Sequence, residues 1–335
     1  MAKKVSMKMI AEELGVSVAL VSYVLNGKMT NRINADTADR IRKLAEHYQY
    51  RPNQIAKSLK SARTYTIGLI VADISNLFYS SIARYIEEEA NSFGYNVIFS
   101  SAYEDADRFK SILEVLIDKQ VDGLILAVPE GGEVYLPMVE KLNIPFVVLD
   151  REFENVAADK IINIANYRAS SQVVDHLYKG GFKRLGAIAL QSNLKHLEDR
   201  KNGFLNTVET RYGVGNGHFY EILEKELEAK IEQTVLRALH VDQVDALYFL
   251  TNRIAMAGLG VLARYQIEVP GKVGVVCFDQ ADAYHIFKTQ LTYVRQPLQE
   301  MSQQAVRVIL NKPLKSITSK FGTELVIKAS SLQGF

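Results

Sequence analysis

The apolar positions of the first 50 residues recur three and four places apart, which predicts three short amphipathic helices. The first follows Ser6 as its cap and ends at Gly15, where a sharp turn suits glycine. The second spans Val18–Leu25, between a capping Ser17 and the pair Asn26-Gly27. The third carries an apolar stripe made of Ile41, Leu44, Ala45 and Tyr48. This order indicates a small all-α domain of the helix-turn-helix type.

From Thr66 onward the pattern changes to short apolar runs that alternate with helical segments. Several runs are continuously apolar, as expected for parallel strands buried on both faces. Strands alternating with helices predict a doubly wound α/β fold, and there are enough strands for two such sheets. The predicted strands are Ile67–Ala72, Asn96–Ser100, Gly123–Val128, Phe146–Leu149, Leu185–Leu190, Phe219–Leu223, Ala246–Leu250 and Val273–Phe278.

Length and composition narrow the class of protein. A chain of 335 residues with 48% hydrophobic positions has room for several domains with sizeable cores. No apolar run approaches the ~18 residues of a membrane span, and the N-terminus has no apolar signal region. Cys277 is the only cysteine, so no intrachain disulfide is possible. We therefore expect a cytoplasmic protein, without membrane contact, and with no metal ion, cofactor or catalytic residues.

Charge is distributed unevenly along the chain. Residues 1–65 hold twelve Lys and Arg against five Asp and Glu, a net charge of +7. Because the whole chain carries +2, the remaining 270 residues carry −5. A basic head on a mildly acidic body suggests polyanion binding by the head. A solvated charged face is the alternative, and only the helical order of the head favours the first interpretation.

The outward side of the second helix is the predicted reading surface for DNA. Leu20, Val21, Val24 and Leu25 form its inward side, so four other positions remain exposed. A short helix with exposed N-terminal side chains is what enters a major groove. The exposed positions are Val18, Ala19, Ser22 and Tyr23.

These motifs resemble those of the lactose/galactose repressor (LacI/GalR) family of bacterial transcription regulators. The resemblance covers essentially the whole chain. The residues that carry it are Ile10-Ala11, Gly15-Val16-Ser17, Val21-Ser22, Val24-Leu25-Asn26-Gly27, Tyr50-Arg51-Pro52-Asn53, Ala56, Ser58-Leu59, the run from Thr66 to Val71, and Asp73-Ile74-Ser75-Asn76.

The resemblance implies a domain order. A helix-turn-helix head would occupy residues 1–52, a hinge helix or linker 53–63, and an effector-binding and dimerisation core 64–335. The core would resemble periplasmic sugar-binding proteins, with the chain crossing between two subdomains near Asn163, Leu291 and Phe321. The first subdomain would then contain about 64–163 and 292–321, and the second about 164–291 and 322–335.

In this family the segment from Asn53 to Lys60 would be a hinge helix that folds only on operator DNA. Pro52 pre-sets the chain and Asn53 is a good cap, but eight residues are too few for a stable isolated helix. The resemblance makes Leu59 an apolar wedge in the minor groove, with Ala56 beside it. The alternative is a disordered linker. The two descriptions are compatible, because a helix that folds only on DNA is a disordered linker in its absence.

Two residues of the second helix depart from the family pattern. Tyr23 stands where an arginine usually reads a guanine, and Leu20 stands where a threonine is common. A tyrosine cannot make the bidentate guanine contact, so the family's operator sequence should not be transferred. The full set of residues expected at the DNA is Ser6, Ser17, Val18, Ala19, Ser22, Tyr23, Asn26, Lys28, Arg32, Tyr50, Asn53, Ala56, Lys57, Leu59 and Lys60.

Polar residues that follow the predicted strands are candidate ligand contacts, since open α/β sheets bind ligands at the carboxyl ends of their strands. Carboxylates and arginines beside an aromatic ring suit a polyhydroxylated ligand. Such residues also often cap the next helix, and Asp73 and Asn76 fit that role better. The expected effector contacts are Ser75, Phe78, Tyr79, Asp150, Arg151, Arg200, Asn252 and Asp279.

The sequence thus predicts a dimeric repressor that reads a pseudo-palindromic operator in double-stranded DNA. A small molecule, with a sugar favoured, would bind in the core and control operator affinity. The alternative is a sugar-binding protein or sugar-processing enzyme of the same fold. The missing export signal and the lack of a visible nucleophile–base pair count against it. A homodimer is expected because no C-terminal leucine heptads, which tetramers of the family use, are present.

Overall fold

The computed structural model describes residues 5–26, 32–50, 63–213, 215–314, 318 and 320–333. The chain separates into two compact units, Met1–Thr64 and Tyr65–Phe335. The first contains the helical head and the second the α/β core.

Three helices of the head each begin at a side-chain cap, and the first two begin where the sequence predicts. They are α1 (Met7–Leu14), α2 (Val18–Leu25) and α3 (Ala35–His47). The hydroxyl oxygens of Ser6 and Ser17 accept backbone N–H groups of the first turn of α1 and α2, and Asn34 does the same for α3. Gly15 ends α1 with φ 64°, in the left-handed region that glycine enters without a steric cost.

A small apolar core holds these helices together. Ile10, Val21 and Ile41, one from each helix, have no exposed surface. Leu20 and Leu25 are half-buried beside them. The inward side predicted for α2 is therefore the side that packs.

The second unit contains two six-stranded sheets with the same order of connections. In the first sheet the order is β11-β5-β4-β3-β1-β2, with every pair parallel. In the second it is β12-β10-β9-β8-β6-β7, and only the β10–β12 pair is antiparallel. Strand for strand, β1 to β5 in one subdomain correspond to β6 to β10 in the other. The strands are β1 (Thr66–Val71), β2 (Asn96–Ser101), β3 (Gly123–Leu126), β4 (Phe146–Leu149), β5 (Ile161–Ile164), β6 (Leu185–Leu190), β7 (Gly217–Ile222), β8 (Ala246–Phe249), β9 (Gly274–Phe278), β10 (Thr292–Arg295), β11 (Lys320–Phe321) and β12 (Glu324–Val326).

Helices cover both faces of each sheet, which explains the unbroken apolar strands. In β1, Leu69 contributes to the core cluster that includes Ile82, whereas Ile70 contributes to the cluster on the other face with Phe109. The second sheet alternates in the same way. The helices are α4 (Leu77–Ser92), α5 (Ala106–Asp118), α6 (Leu136–Lys141), α7 (Asn166–Lys179), α8 (Lys195–Tyr212), α9 (Leu227–His240), α10 (Asn252–Arg264) and α11 (Leu298–Ile309).

All eight predicted strands are present, with ends shifted by no more than two residues. The prediction missed β5, β10, β11 and β12. This error moves one subdomain crossing. Because Thr292–Arg295 is a strand of the second sheet, the chain leaves that sheet after Arg295 and not near Leu291. The segment 292–295 therefore belongs to the second subdomain.

The other two crossings follow from the strand positions. The chain leaves the first sheet after β5, and β11 and β12 lie in different sheets on either side of Gly322-Thr323. Between the second and third crossings, α11 packs on the first subdomain, where Arg307 Nε donates to Glu89 of α4 at 2.7 Å. Within the described ranges, every helix is too short or too polar to cross a membrane.

Candidate functional site

The carboxyl ends of both sheets open into one cleft, a cavity of about 610 Å³ within the second unit. Its walls contain residues one or two positions after the ends of β1, β4, β6, β8, β9 and β10. All eight residues expected to contact an effector line it: Ser75, Phe78, Tyr79, Asp150, Arg151, Arg200, Asn252 and Asp279. The structure therefore brings together side chains that are up to 204 positions apart in the sequence.

Asp150 and Asp279 occupy equivalent places in the two subdomains, each at the first position after a strand. Asp150 follows β4 and Asp279 follows β9, and both are buried. Their φ angles are 70° and 66°, in the left-handed region that aspartate tolerates better than most non-glycine residues. In both subdomains the residue that makes this turn after the strand also lines the shared cavity.

Burial raises the pKa of both carboxyl groups, and the nearby Arg200 guanidinium opposes the shift in both cases. Asp150 accepts a hydrogen bond from the Tyr79 hydroxyl at 3.1 Å. Asp279 accepts one from Gln296 Nε2 at 2.5 Å and is also stabilised by the backbone N–H of Asn252, at the start of α10. The two carboxylates thus have fixed partners and still line the cavity.

Arg151 is fixed by the first subdomain. Its guanidinium donates to both carboxylate oxygens of Glu104, one at 2.9 Å, and to the carbonyl oxygen of Val128 at 2.7 Å. Only 3% of Arg151 is exposed, and its Nε has no partner among the described residues. This buried N–H is a donor that a bound molecule could satisfy.

Arg200 is fixed by the second subdomain. Its Nε donates to Asn166 Oδ1 at 2.7 Å and another nitrogen donates to the carbonyl oxygen of Leu250 at 3.0 Å. The guanidinium lies 3.5 Å from the ring centroid of Phe278, a cation–π arrangement. Arg200 lies in the second turn of α8, which begins five residues earlier at Lys195, and it is buried.

Two hydrogen bonds cross the cleft between the subdomains. Asn252 Nδ2 donates to Asn76 Oδ1 at 2.8 Å, and Asn193 Nδ2 donates to Glu130 at 2.8 Å. The same Asn76 oxygen accepts the backbone N–H of Phe78 and caps α4, as its sequence position suggested. Asn76 is therefore both a helix cap and a link across the cleft.

Ser75, Phe78 and Tyr79 form the wall at the start of α4. The Ser75 hydroxyl donates to Asp73 at 2.7 Å, within a turn that Asp73 itself caps. The rings of Phe78 and Tyr79 meet edge to face, with centroids 4.9 Å apart. Burial raises the pKa of the Tyr79 hydroxyl well above its ordinary value, so it is a neutral donor. An apolar ring surface next to polar groups suits the alternating faces of a sugar.

The sequence prediction missed Gln296 and His196, which also line the cleft. Gln296 directly follows β10, so the strand-end rule would have found it had that strand been predicted. His196 lies in the first turn of α8, and its exposed fraction is 8%. Burial lowers the pKa of His196 well below its ordinary value, and Arg200 and Arg151 lower it further. Gln296 Oε1 and His196 Nδ1 lack partners among the described residues.

The head presents the predicted reading surface on α2. Val18 is 44% exposed and Tyr23 38%, Ala19 is exposed, and Ser22 is half-buried. Asn26 ends the helix, where its side chain donates to the Ser22 carbonyl oxygen at 2.7 Å. Ser6 and Ser17 use their hydroxyl oxygens as helix caps, which leaves each hydroxyl hydrogen available to an acceptor.

The remaining predicted DNA contacts divide into two groups. Arg32 is exposed and Tyr50 is half-buried in the head, where the Tyr50 N–H donates to Ala45 at 2.8 Å. The others fall outside the described residues: Lys28, Asn53, Ala56, Lys57, Leu59 and Lys60.

Both units match models of known families. Residues 6–53 match bacterial regulatory proteins of the lacI family, and residues 64–322 match periplasmic binding proteins and the sugar binding domain of the LacI family. The transcriptional regulator RegA of Clostridium acetobutylicum is 30% identical over 333 residues, with 91% of each chain covered. The ribose operon repressor of Halalkalibacterium halodurans is 28% identical over 334 residues, covering 97% of this chain and 96% of that protein.

A solved structure shows the same fold. The crystal structure of the lac repressor dimer bound to operator and the anti-inducer ONPF has a TM-score of 0.81 to this chain, at 19% identity. The likeness covers 98% of this chain and 100% of that one. With family matches in both units, the chain belongs to the LacI family of bacterial transcription regulators.

Proposed function

We propose that this protein is a repressor whose affinity for operator DNA is controlled by a sugar bound in the cleft of the core. The observation that carries the proposal is the pair of buried carboxylates, Asp150 and Asp279, at equivalent strand ends facing one cavity. A cleft lined by two subdomains can respond to a ligand by changing how they approach each other. The ligand shifts that equilibrium only by its differential affinity for the two states.

The chemistry of the cleft supports a polyhydroxylated ligand. Asp150 and Asp279 accept hydrogen bonds, Arg151 and Arg200 donate them, and Asn252 does both. Phe78 adds an apolar ring. The name of the ribose operon repressor, a relative across the whole chain, agrees with a sugar effector.

The head supports base reading by α2. Val18, Ala19, Ser22 and Tyr23 would face base edges, and the hydroxyls of Ser6 and Ser17 would donate to phosphates. Asn26, Lys28, Arg32 and Tyr50 complete the proposed head contacts. The segment from Asn53 to Lys60 would act as a hinge in the minor groove, as the family resemblance implies. A protein that binds operators on chromosomal DNA would act in the cytoplasm.

A homodimer is proposed because the core leaves an apolar strand edge uncovered. β2 is the last strand of the first sheet, and its Ile98 and Phe99 are 40% and 53% exposed. An exposed apolar edge strand is a template for association. Two heads would then read the two halves of a pseudo-palindromic operator.

Fluorescence anisotropy with the DNA upstream of the protein's own gene tests the proposal. The full pseudo-palindromic site should bind much more tightly than one half-site, and affinity should fall steeply with salt because phosphate contacts release counterions. The Tyr23→Ala variant should lose about tenfold in specific affinity, since one base-reading position is typically worth ~1–3 kcal/mol.

The matched control is Tyr178→Ala, which removes an exposed tyrosine from α7 of the core. It should bind the operator like the unmodified protein. Absence of DNA binding at low salt would contradict the proposal and favour a sugar-binding protein or sugar-processing enzyme of the same fold.

A further inference from the structure

The described walls of the cleft carry an excess of negative charge. They contain seven carboxylate side chains and three guanidinium groups. Asp150 and Asp279 are buried in the floor, whereas Asp73, Glu104 and Glu224 are partly or fully exposed at the rim. We refer to these last three as the rim acids. A ligand entering the cleft therefore passes between carboxylates before it meets the arginines.

The positive charge of two cleft arginines is offset by carboxylates of the same site. Arg151 is bound by both oxygens of Glu104, and the Arg200 guanidinium already interacts with the buried Asp150 and Asp279, where it opposes the rise in pKa. Arg253 at the rim lies 3.9 Å from Glu228. A phosphate or carboxylate on the ligand would have to compete with these partners. The Nε of Arg151 has no hydrogen-bond partner among the described residues, and it is the donor left for a hydroxyl or ring oxygen of a ligand.

The floor requires a ligand that donates hydrogen bonds. Gln296 is 93% buried, and its Nε2 is used by Asp279, so its Oε1 remains an acceptor with no donor among the described residues. Asp150 and Asp279 are acceptors as well. A buried acceptor left unsatisfied costs about 1–3 kcal/mol, so donors on the ligand are favoured at this end of the cavity.

The rim acids belong to both subdomains. Asp73 and Glu104 lie in the first and Glu224 in the second. The pKa of Glu224 is raised by partial burial and then by Glu104 and Asp73, while Arg253 opposes the shift. The carboxylates of the two subdomains therefore repel one another across the opening. A positive group on the ligand would relieve that repulsion, and a negative group would increase it.

We propose that the cleft selects sugars that donate hydrogen bonds and carry no negative charge, and that an amino group on the sugar strengthens binding. This inference rests on the proposed sugar site. It excludes phosphorylated sugars and sugar acids as effectors, and it assigns that exclusion above all to Asp73 and Glu224, since Glu104 is paired with Arg151. Asp279 and Gln296 would hold the donating hydroxyls, and the rim acids would attract the ammonium group.

Isothermal titration of the full-length protein with matched sugar sets tests the proposal. The probes are glucose, galactose and mannose, each as the neutral sugar, the 2-amino sugar and the 6-phosphate. For every scaffold that binds, the amino sugar should bind about fivefold more tightly than the neutral one, the scale of an exposed charge pair. The 6-phosphate should bind at least about tenfold more weakly than the neutral sugar.

Glu224→Gln should abolish most of the preference for the amino sugar, measured as the ratio of the Kd values of the neutral and the amino sugar. Glu114→Gln is the control, because Glu114 is an exposed glutamate of α5 outside the cleft. Tighter binding of a 6-phosphate than of its neutral parent overturns the proposal, as does an amino preference that survives in Glu224→Gln. Binding by none of the nine compounds also rejects it. Operator binding, measured separately by anisotropy, still decides the regulator role.

Discussion

Asp150 and Asp279 show how single residues define the cleft. Each turns the backbone into the left-handed region after a strand, and each pairs with a neutral donor, Tyr79 or Gln296. Burial raises the pKa of both groups because ionised carboxylates lose hydration. The positive charges of the surrounding arginines reduce the free-energy cost of burying these carboxylates. The same arrangement makes their remaining oxygen atoms strong acceptors for a ligand.

His196 gives a prediction about stability and pH. Its folded-state pKa is depressed by burial and by Arg200 and Arg151, so the unfolded chain binds a proton more readily. Stability from this group is therefore present above the unfolded pKa of about 6.5 and lost as pH falls toward the depressed folded value, by up to about 1.4 kcal/mol per pH unit. When the pH is lowered from 7.5 to 5.5, the melting temperature of His196→Gln should fall less than that of the unmodified protein.

The control for this experiment is His240→Gln, since His240 is exposed at the end of α9. The melting temperature of this control should fall with pH as it does in the unmodified protein. Identical pH profiles for His196→Gln and the unmodified protein would show that His196 is not buried in its neutral form.

At the level of single residues, the sequence predicted eight cleft residues, most of them from strand ends and Arg200 with the help of the family resemblance, and it missed others for a definable reason. Gln296 escaped because Thr292–Arg295 was not predicted as a strand. His196 lies within a helix and becomes part of the cleft only through tertiary packing, so its position carries no local signal. The partner of Arg151, Glu104, lies 47 positions away in the sequence, and only the fold brings the two together.

Among the elements, the pair α7 and α8 supports the cleft most directly. Arg200 on α8 donates to Asn166 on α7, and Ser171 of α7 donates to the carbonyl oxygen of Gly203 at 3.3 Å. A Cβ atom at Gly203 would lie 2.2 Å from the backbone oxygen of Tyr167. The close approach of these two helices therefore depends on the missing side chain.

Gly203→Ala should force α7 and α8 apart. Overpacking of this kind typically costs ~1–3 kcal/mol, and the clash with backbone places the expected loss at the upper end. Chemical denaturation at neutral pH measures it. Gly260→Ala on α10 is the matched control, because nothing lies within 4 Å of the added Cβ. The control should be neutral or more stable by up to ~1 kcal/mol; equal stability of the two variants would refute the packing argument.

The sequence identified elements according to the strength of their pattern. Long apolar runs such as Leu185–Leu190 are strands because both faces of the sheet are covered, and their pattern shows this directly. β11 has two residues and β12 three, so neither is long enough to show a period. β5 and β10 have four residues each and contain polar side chains, and their strand character comes from their neighbours in the sheet.

For the whole molecule, the family membership and the two units describe a regulator with separate reading and sensing parts. The head exposes α2 and holds it on a small core, and the second unit builds a polar cleft from two equivalent sheets. The repeat relation between the subdomains explains why Asp150 and Asp279 recur at one position. The proposed function requires that ligand binding in the second unit changes DNA binding by the first.

Operator affinity at increasing sugar concentration tests this coupling most directly. The sugar is the tightest binder found by titration of the neutral and amino sugars, and the operator is the full upstream site. Coupling energies of this type are typically 1–3 kcal/mol, so saturating sugar should change the operator Kd by about 5- to 150-fold. By linkage, saturating operator should change the sugar Kd by the same factor.

Two variants on the same helix serve as test and control. Arg200→Gln removes a guanidinium from the cleft, whereas Arg211→Gln removes an exposed one that pairs with Asp175 outside it. In the absence of sugar both should bind the operator normally. We expect the sugar to change the operator Kd in the unmodified protein and in Arg211→Gln, but not in Arg200→Gln at the same concentration. An operator Kd that stays constant in the unmodified protein at saturating sugar would contradict this expectation.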